Sequence, residues 1–143
     1  MSALLLGLLS YGGLCLLVWG MQNQMIFFPD RRVVQKPSMP YQDLFVTTAD
    51  GVVLHGWAVP PPKSETVWVL HCHGNGGNIS HRLDTIKLLH GLGLGVVVFD
   101  YRGYGLSHGQ LSRESDLIAD GQAFLDEIKT TFKPSKLLLY GES

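Results

Sequence analysis

The sequence predicts an α/β fold, in which an antiparallel hairpin leads into parallel strands with crossover helices, preceded by one transmembrane helix. Three observations support this prediction. The first 29 residues contain no charged side chain. Short apolar runs then alternate with segments of helical periodicity, separated by glycine and proline. The last apolar run leads into Gly141-Glu142-Ser143. A net charge of −1 gives no electrostatic reason to expect a nucleic-acid partner.

Residues 1–22 are predicted to form a transmembrane anchor. The apolar run from Ala3 to Trp19 reaches the length of about 17–25 residues that a bilayer core requires. The first alternative, a secretory signal peptide, needs a positively charged start and small residues at a cleavage site. Met1-Ser2-Ala3 has no basic side chain, and residues 18–22 form a poor cleavage site. A buried helix of a soluble protein is the second alternative.

The charges beyond this segment predict its orientation. Arg31, Arg32 and Lys36 follow the apolar run, and no Lys or Arg precedes it. The positive-inside rule then places the soluble part in the cytoplasm, so we expect a single-pass membrane protein. The cysteines agree with this expectation, because Cys15 lies in the span and Cys72 near a predicted core strand, which offers no disulfide framework.

Residues 23–40 are predicted to be a juxtamembrane connector, which three prolines interrupt. The soluble domain, residues 41–143, begins with two predicted strands at 44–48 and 52–59. The Asp50-Gly51 pair between them is a hairpin signal, so these strands are expected to pair antiparallel.

Strands and helices alternate after the hairpin. Ser80 is the expected cap of the first helix, and the second helix is expected to begin near Ser112 and to end at Pro134. The order is therefore β-β-β-α-β-α-β, which is typical of parallel strands joined by helices. The remaining elements are predicted at residues 66–71 (strand), 79–89 (helix), 96–99 (strand), 112–134 (helix) and 136–140 (strand).

The loop after the third strand, residues 71–78, has the sequence His-Cys-His-Gly-Asn-Gly-Gly-Asn. It is either a tight glycine turn or half of an oxyanion hole, because glycines let backbone N–H groups approach a substrate. His71 and His73 suggest a metal pair, but no third ligand is spaced nearby. Gly74-x-Gly76 suggests a dinucleotide fingerprint, but Ile79 stands where its third glycine would fall. We therefore predict no metal and no cofactor.

The segment Gly141-Glu142-Ser143 matches the first half of a G-x-S-x-G nucleophile elbow, a strand-to-helix turn that exposes a serine Oγ. Alone it is compatible with an ordinary turn. Together with H-G-N-G-G-N and with D-Y-R-G-Y-G-x-S, each after a predicted strand, it resembles the membrane-anchored α/β-hydrolase domain family. That family includes serine-aminopeptidase-like hydrolases and anchored acyl-protein thioesterases. Residues 24–29 resemble the start of those proteins, and the resemblance covers essentially the whole chain.

The resemblance implies the N-terminal portion of an α/β-hydrolase fold and a set of site residues. Ser143 matches the nucleophile, and Asn75 matches the first oxyanion-hole donor through its backbone N–H. The other matching residues are expected to shape or brace the active-site loops rather than to react: His73, Gly74, Asp100, Arg102 and Gly103.

The expected function is that of a serine hydrolase which, as a complete chain, acts on acyl ester, thioester or peptide bonds at a membrane. Its substrate is expected to be a small acyl or acylated molecule. The catalytic triad follows the chain order Ser, Asp or Glu, His, yet all six histidines precede Ser143. The 143-residue chain alone is therefore expected to lack the catalytic acid and His and to be inactive. The alternative is a non-catalytic membrane-anchored fragment or interaction module.

Overall fold

The computed structural model describes residues 3–63 and 67–142, and its elements follow the predicted order. Each observed strand begins and ends within two residues of its predicted bounds. Thr66, the predicted first residue of the third strand, lies outside the described residues. In chain order the elements are α1 (Ala3–Ile26), β1 (Gln42–Thr47), β2 (Val53–Val59), β3 (Val67–Cys72), a 3-10 turn (Ile79–His81), α2 (Leu83–Gly91), β4 (Gly95–Phe99), α3 (Glu114–Thr131) and β5 (Lys136–Gly141).

The five strands form one mixed sheet in the order β1-β2-β4-β3-β5. β1 and β2 pair antiparallel through the predicted hairpin, and Gly51 adopts the positive φ of 84° that its turn requires. β2 also runs antiparallel to β4, whereas β3 pairs parallel with both β4 and β5. The predicted fold class is confirmed, since a hairpin leads into parallel strands that helices connect.

The central strand β4 is buried along its whole length, which explains its unbroken apolar sequence. Alternate side chains point to opposite faces of a sheet. Val97 and Phe99 accordingly belong to the core beneath α3, where the Phe99 and Phe124 rings stack at 4.6 Å. Val96 and Val98 belong to the second core, which includes Ile86 of α2. The sheet therefore lies between α3 on one face and α2 on the other.

α1 includes a 20-residue span, Ala3–Gln22, that is long and apolar enough to cross a membrane and is not buried by the rest of the chain. The predicted anchor, residues 1–22, includes this span, and its first two residues lie outside the described residues. The helix itself continues to Ile26, into the predicted connector. The connector from Phe27 onward is not helical and leads to β1.

The predicted start of the first internal helix was wrong, because a neighbouring polar side chain competes for the same backbone donors. Ser80 does not cap α2; Asn78 Oδ1 accepts from the Ser80 N–H at 2.9 Å and caps a separate 3-10 turn. α3 begins at Glu114, within two residues of its predicted start near Ser112. The backbone N–H groups of Ser112 and Arg113 donate to the Asp116 carboxylate.

Candidate active site

The carboxyl ends of β3, β4 and β5 meet at one edge of the sheet, because these strands run parallel. A cavity of about 300 Å³ opens there. One wall comes from the loop after β3, called here the glycine loop (residues 73–78), and another from Ile26 and Phe27 at the end of α1. Tyr101, Tyr104, Leu117 and Glu142 complete the lining.

Three predicted site residues, His73, Gly74 and Asn75, line this cavity. The Gly74 carbonyl accepts hydrogen bonds from His73 Nδ1 at 2.8 Å and from Arg82 Nη2 at 3.4 Å. This carbonyl and the Asn75 N–H belong to one trans peptide plane, in which the two groups point in opposite directions. Among the described residues the Asn75 N–H has no hydrogen-bond partner. It is thus directed away from Arg82 and is free to donate.

His73 is buried with Asp100 behind the glycine loop. Its Nε2 lies 3.4 Å from Asp100 Oδ1, which also accepts from the Ile79 N–H at 2.9 Å. Gly105 approaches the same carboxylate so closely that a Cβ would collide with it. Asp100 therefore joins the loop after β3 to the loop after β4.

Arg102 faces away from the cavity and joins its loop to α3 and to the hairpin. It donates to Asp120 at 2.7 Å and to Asp50 at 2.8 Å. The hydrogen bonds to Asp120 raise the pKa of Arg102. Gly103 has φ 86°, which a side chain would strain, and its N–H donates to the His108 carbonyl. The structure thus brings Arg102 and Gly103 beneath the site and not into it.

Ser143 lies outside the described residues, and Glu142 is the residue before it. The Glu142 N–H donates to the Cys72 carbonyl at 3.0 Å, which extends the pairing of β5 with β3. The Glu142 carboxylate accepts from His71 Nε2 at 2.9 Å, and its other oxygen lies 3.0 Å from Arg82 Nε. Ser143 is the next residue along the chain.

Sequence reasoning missed Arg82 and Glu142 as site residues and assigned no partner to His71. Arg82 connects the two halves of the site, since it pairs with Glu142 and donates to the carbonyls of Gly74 and Gly76. His71 faces Glu142 rather than His73, and burial lowers its pKa. In residues 3–63 and 67–142, no cluster of three or more His, Cys, Asp or Glu side chains is placed to hold a metal ion.

Comparisons with known proteins identify the family and the fold. The family described as "Serine aminopeptidase, S33" matches residues 63–143. The uncharacterized protein Rv2307c of Mycobacterium tuberculosis is 37% identical over 137 residues, which cover 92% of this chain and 48% of that protein. The uncharacterized membrane protein YNL320W of Saccharomyces cerevisiae is 32% identical over 118 residues, 80% of this chain and 39% of that protein.

A solved structure, the Pyrococcus furiosus esterase Pf2001, superimposes with a TM-score of 0.70 and 27% identity, over 80% of this chain and 48% of that chain. The chain therefore spans about half the length of the curated relatives that it matches.

Proposed function

The chain belongs to the serine aminopeptidase S33 family of α/β hydrolases, and on that premise we propose that the complete protein is a serine hydrolase. The membership confirms the family resemblance inferred from the three sequence motifs. In the proposal, Ser143 is the nucleophile and the Asn75 N–H is one donor of the oxyanion hole. The substrate is an acyl ester, a thioester or a peptide.

One juxtaposition supports the proposal most directly. Glu142, which precedes the proposed nucleophile, and the glycine loop line the same cavity. Within that loop the Gly74 carbonyl is held by His73 and Arg82, which aims the Asn75 N–H to the opposite side. Acyl transfer requires a serine nucleophile and a backbone donor, and Ser143 follows Glu142 directly in the sequence.

The proposed reaction begins when Ser143 Oγ attacks the acyl carbon and a general base takes its proton. The Asn75 N–H stabilises the oxyanion, together with the N–H of the residue after the nucleophile. Collapse expels the leaving group, and water then hydrolyses the acyl-enzyme. His71 and His73 are committed to Glu142 and Gly74, so neither serves as this base. We place the catalytic acid and His in the remainder of the complete protein.

We also propose that α1 anchors the protein as a single pass with the catalytic part in the cytoplasm. The apolar span Ala3–Gln22 and the similarity to a yeast membrane protein support the anchor. The basic cluster at residues 31–36 supports the orientation. Ile26 and Phe27 line the cavity, so a small acyl or acylated substrate would bind beside the membrane surface.

Labelling of the complete protein with a fluorophosphonate probe tests the hydrolase proposal. The wild type should be labelled, and Ser143→Ala should lose the label because its Oγ is absent. Ser38→Ala removes an exposed serine of the connector and should be labelled normally. Equal labelling of the wild type and Ser143→Ala would identify another nucleophile. A wild type that is neither labelled nor active would favour the non-catalytic interaction module.

A further inference from the structure

The connector lies along the glycine loop and pairs with it through backbone hydrogen bonds. Pro29 forms an isolated parallel bridge with Gly77, and the Asp30 N–H donates to the Gly77 carbonyl at 3.2 Å. Asn78 Nδ2 donates to the carbonyls of Asp30 and Arg32 at 2.9 and 2.8 Å. A segment that only linked a helix to a domain would not need these contacts. The connector is therefore part of the site's framework.

The side chain of Asn75 attaches the loop to the end of the anchor helix itself. Its Nδ2 donates to the carbonyl of Ile26, the last residue of α1. Its Oδ1 accepts from the Phe28 N–H at 3.2 Å and from the Tyr104 hydroxyl at 3.0 Å. Three contacts thus hold the residue whose backbone N–H is the proposed oxyanion donor.

The glycines on either side of Asn75 make these contacts important for its backbone orientation. Gly76 and Gly77 follow Asn75 with φ of 86° and 75°, and Gly74 precedes it. Glycine loses more conformational freedom on folding than any other residue, so this stretch does not hold its own orientation. Asn75 is itself exposed, so burial does little to fix it. Its direction therefore depends on its own side-chain hydrogen bonds as well as on those that hold the Gly74 carbonyl.

We propose that Asn75 is a positioning residue whose side chain orients its own backbone N–H by tying the glycine loop to Ile26 and Phe28. This inference rests on the proposed hydrolase function. It makes the end of the membrane anchor a structural component of the active site. Loss of the tie leaves the donor present but misaligned, and misplacement of about 1 Å lowers turnover by about 10- to 100-fold.

The test uses the complete protein in detergent micelles, with a short-chain p-nitrophenyl ester as substrate. Asn75→Ala keeps the backbone N–H but removes all three side-chain contacts, and should lower kcat about 10- to 100-fold with KM within about twofold. Tyr104→Phe removes one contact and should lower kcat less. Tyr41→Phe removes a hydroxyl near β1, outside the site, and should keep the wild-type kcat. Thermal unfolding of each variant checks its folding.

The outcomes separate this inference from the function on which it rests. An active wild type accompanied by Asn75→Ala with unchanged kcat overturns the positioning role alone. A wild type without Ser143-dependent turnover overturns the hydrolase proposal and this inference with it. If Asn75→Ala fails to fold, Tyr104→Phe decides: a lowered kcat at unchanged KM and melting temperature supports the inference, and a wild-type kcat overturns it.

Discussion

Arg82→Ala is the substitution that most directly probes how the two halves of the site are held together. The Arg82 guanidinium contacts the Glu142 carboxylate at 3.0 Å and the Gly76 and Gly74 carbonyls at 3.1 and 3.4 Å. Alanine removes all three contacts at once. Glu142 keeps His71 as a partner, so the strand end remains paired while the glycine loop loses its link to it.

The expected magnitude follows from partial burial. The side chains of Arg82 and Glu142 are 18% and 24% exposed, so water screens the ion pair only in part. Hydrogen bonds to charged groups contribute about 1.5–3 kcal/mol each, and the longest contact here contributes little. We expect the free energy of unfolding to fall by about 2–3 kcal/mol. The freed Gly74 carbonyl should lower kcat about 10-fold or more, because the Asn75 N–H turns with it.

The assay is steady-state ester hydrolysis by the complete protein, with unfolding measured on the same preparations. Arg113→Ala is the matched control, because Arg113 also occupies the residue before a helix but is 77% exposed and pairs with Asp116 away from the cavity. Arg82→Lys should have a kcat and a stability between those of the wild type and Arg82→Ala. One lysine ammonium group cannot replace a planar guanidinium that reaches three acceptors. Wild-type kcat and KM for Arg82→Ala, with only stability lowered, would refute the positioning argument.

Two further predictions concern the hairpin and the anchor. Hydrogen bonds from Arg102, and then from Thr48, lower the pKa of Asp50 to about 2, from 3.8. A carboxyl group whose pKa is lower in the folded state than in the unfolded state stabilises the fold at pH values above the unfolded-state pKa. This stabilisation is lost as the pH falls through the folded-state pKa. The stability difference between wild type and Asp50→Asn should therefore be constant above about pH 5 and shrink between about pH 4 and 2; a constant difference down to pH 2 would contradict the assignment. In sealed membranes, protease added to the face opposite the cytoplasm should leave the soluble part intact; digestion from that face would refute the proposed orientation.

The framework of the fold could be predicted because its signals are local. β4 appears as an unbroken apolar run since both of its faces are covered, and Asp50-Gly51 marks the hairpin because its turn needs a positive φ. Helix starts were less predictable. Ser80 and Asn78 both carry capping oxygens, and only the folded backbone decides which donors each one reaches.

The ties within the site could not be predicted in the same way, because they join residues far apart in the chain. Glu142 occupies the variable position of the elbow motif, and Arg82 resembles an ordinary charge at the start of a helix. Their pairing spans 60 residues and exists only once β5 lies beside β3. The contacts of the connector could not be predicted either. Its prolines and charges are typical of a linker, yet its backbone pairs with the glycine loop.

The glycine loop has to meet two opposing requirements, close approach to the substrate and a fixed orientation. Its backbone must lack side chains in order to approach a reacting acyl group. A hydrogen-bond donor, however, stabilises a transition state only when its orientation is already fixed. Arg82 holds the loop on the side of the elbow, through the carbonyls of Gly74 and Gly76. Asn75 holds it on the side of the anchor, through the backbone of Ile26 and Phe28. Either tie alone would leave the peptide between Gly74 and Asn75 free to rotate about its other end, so we infer that both together orient the Asn75 N–H, the proposed oxyanion donor.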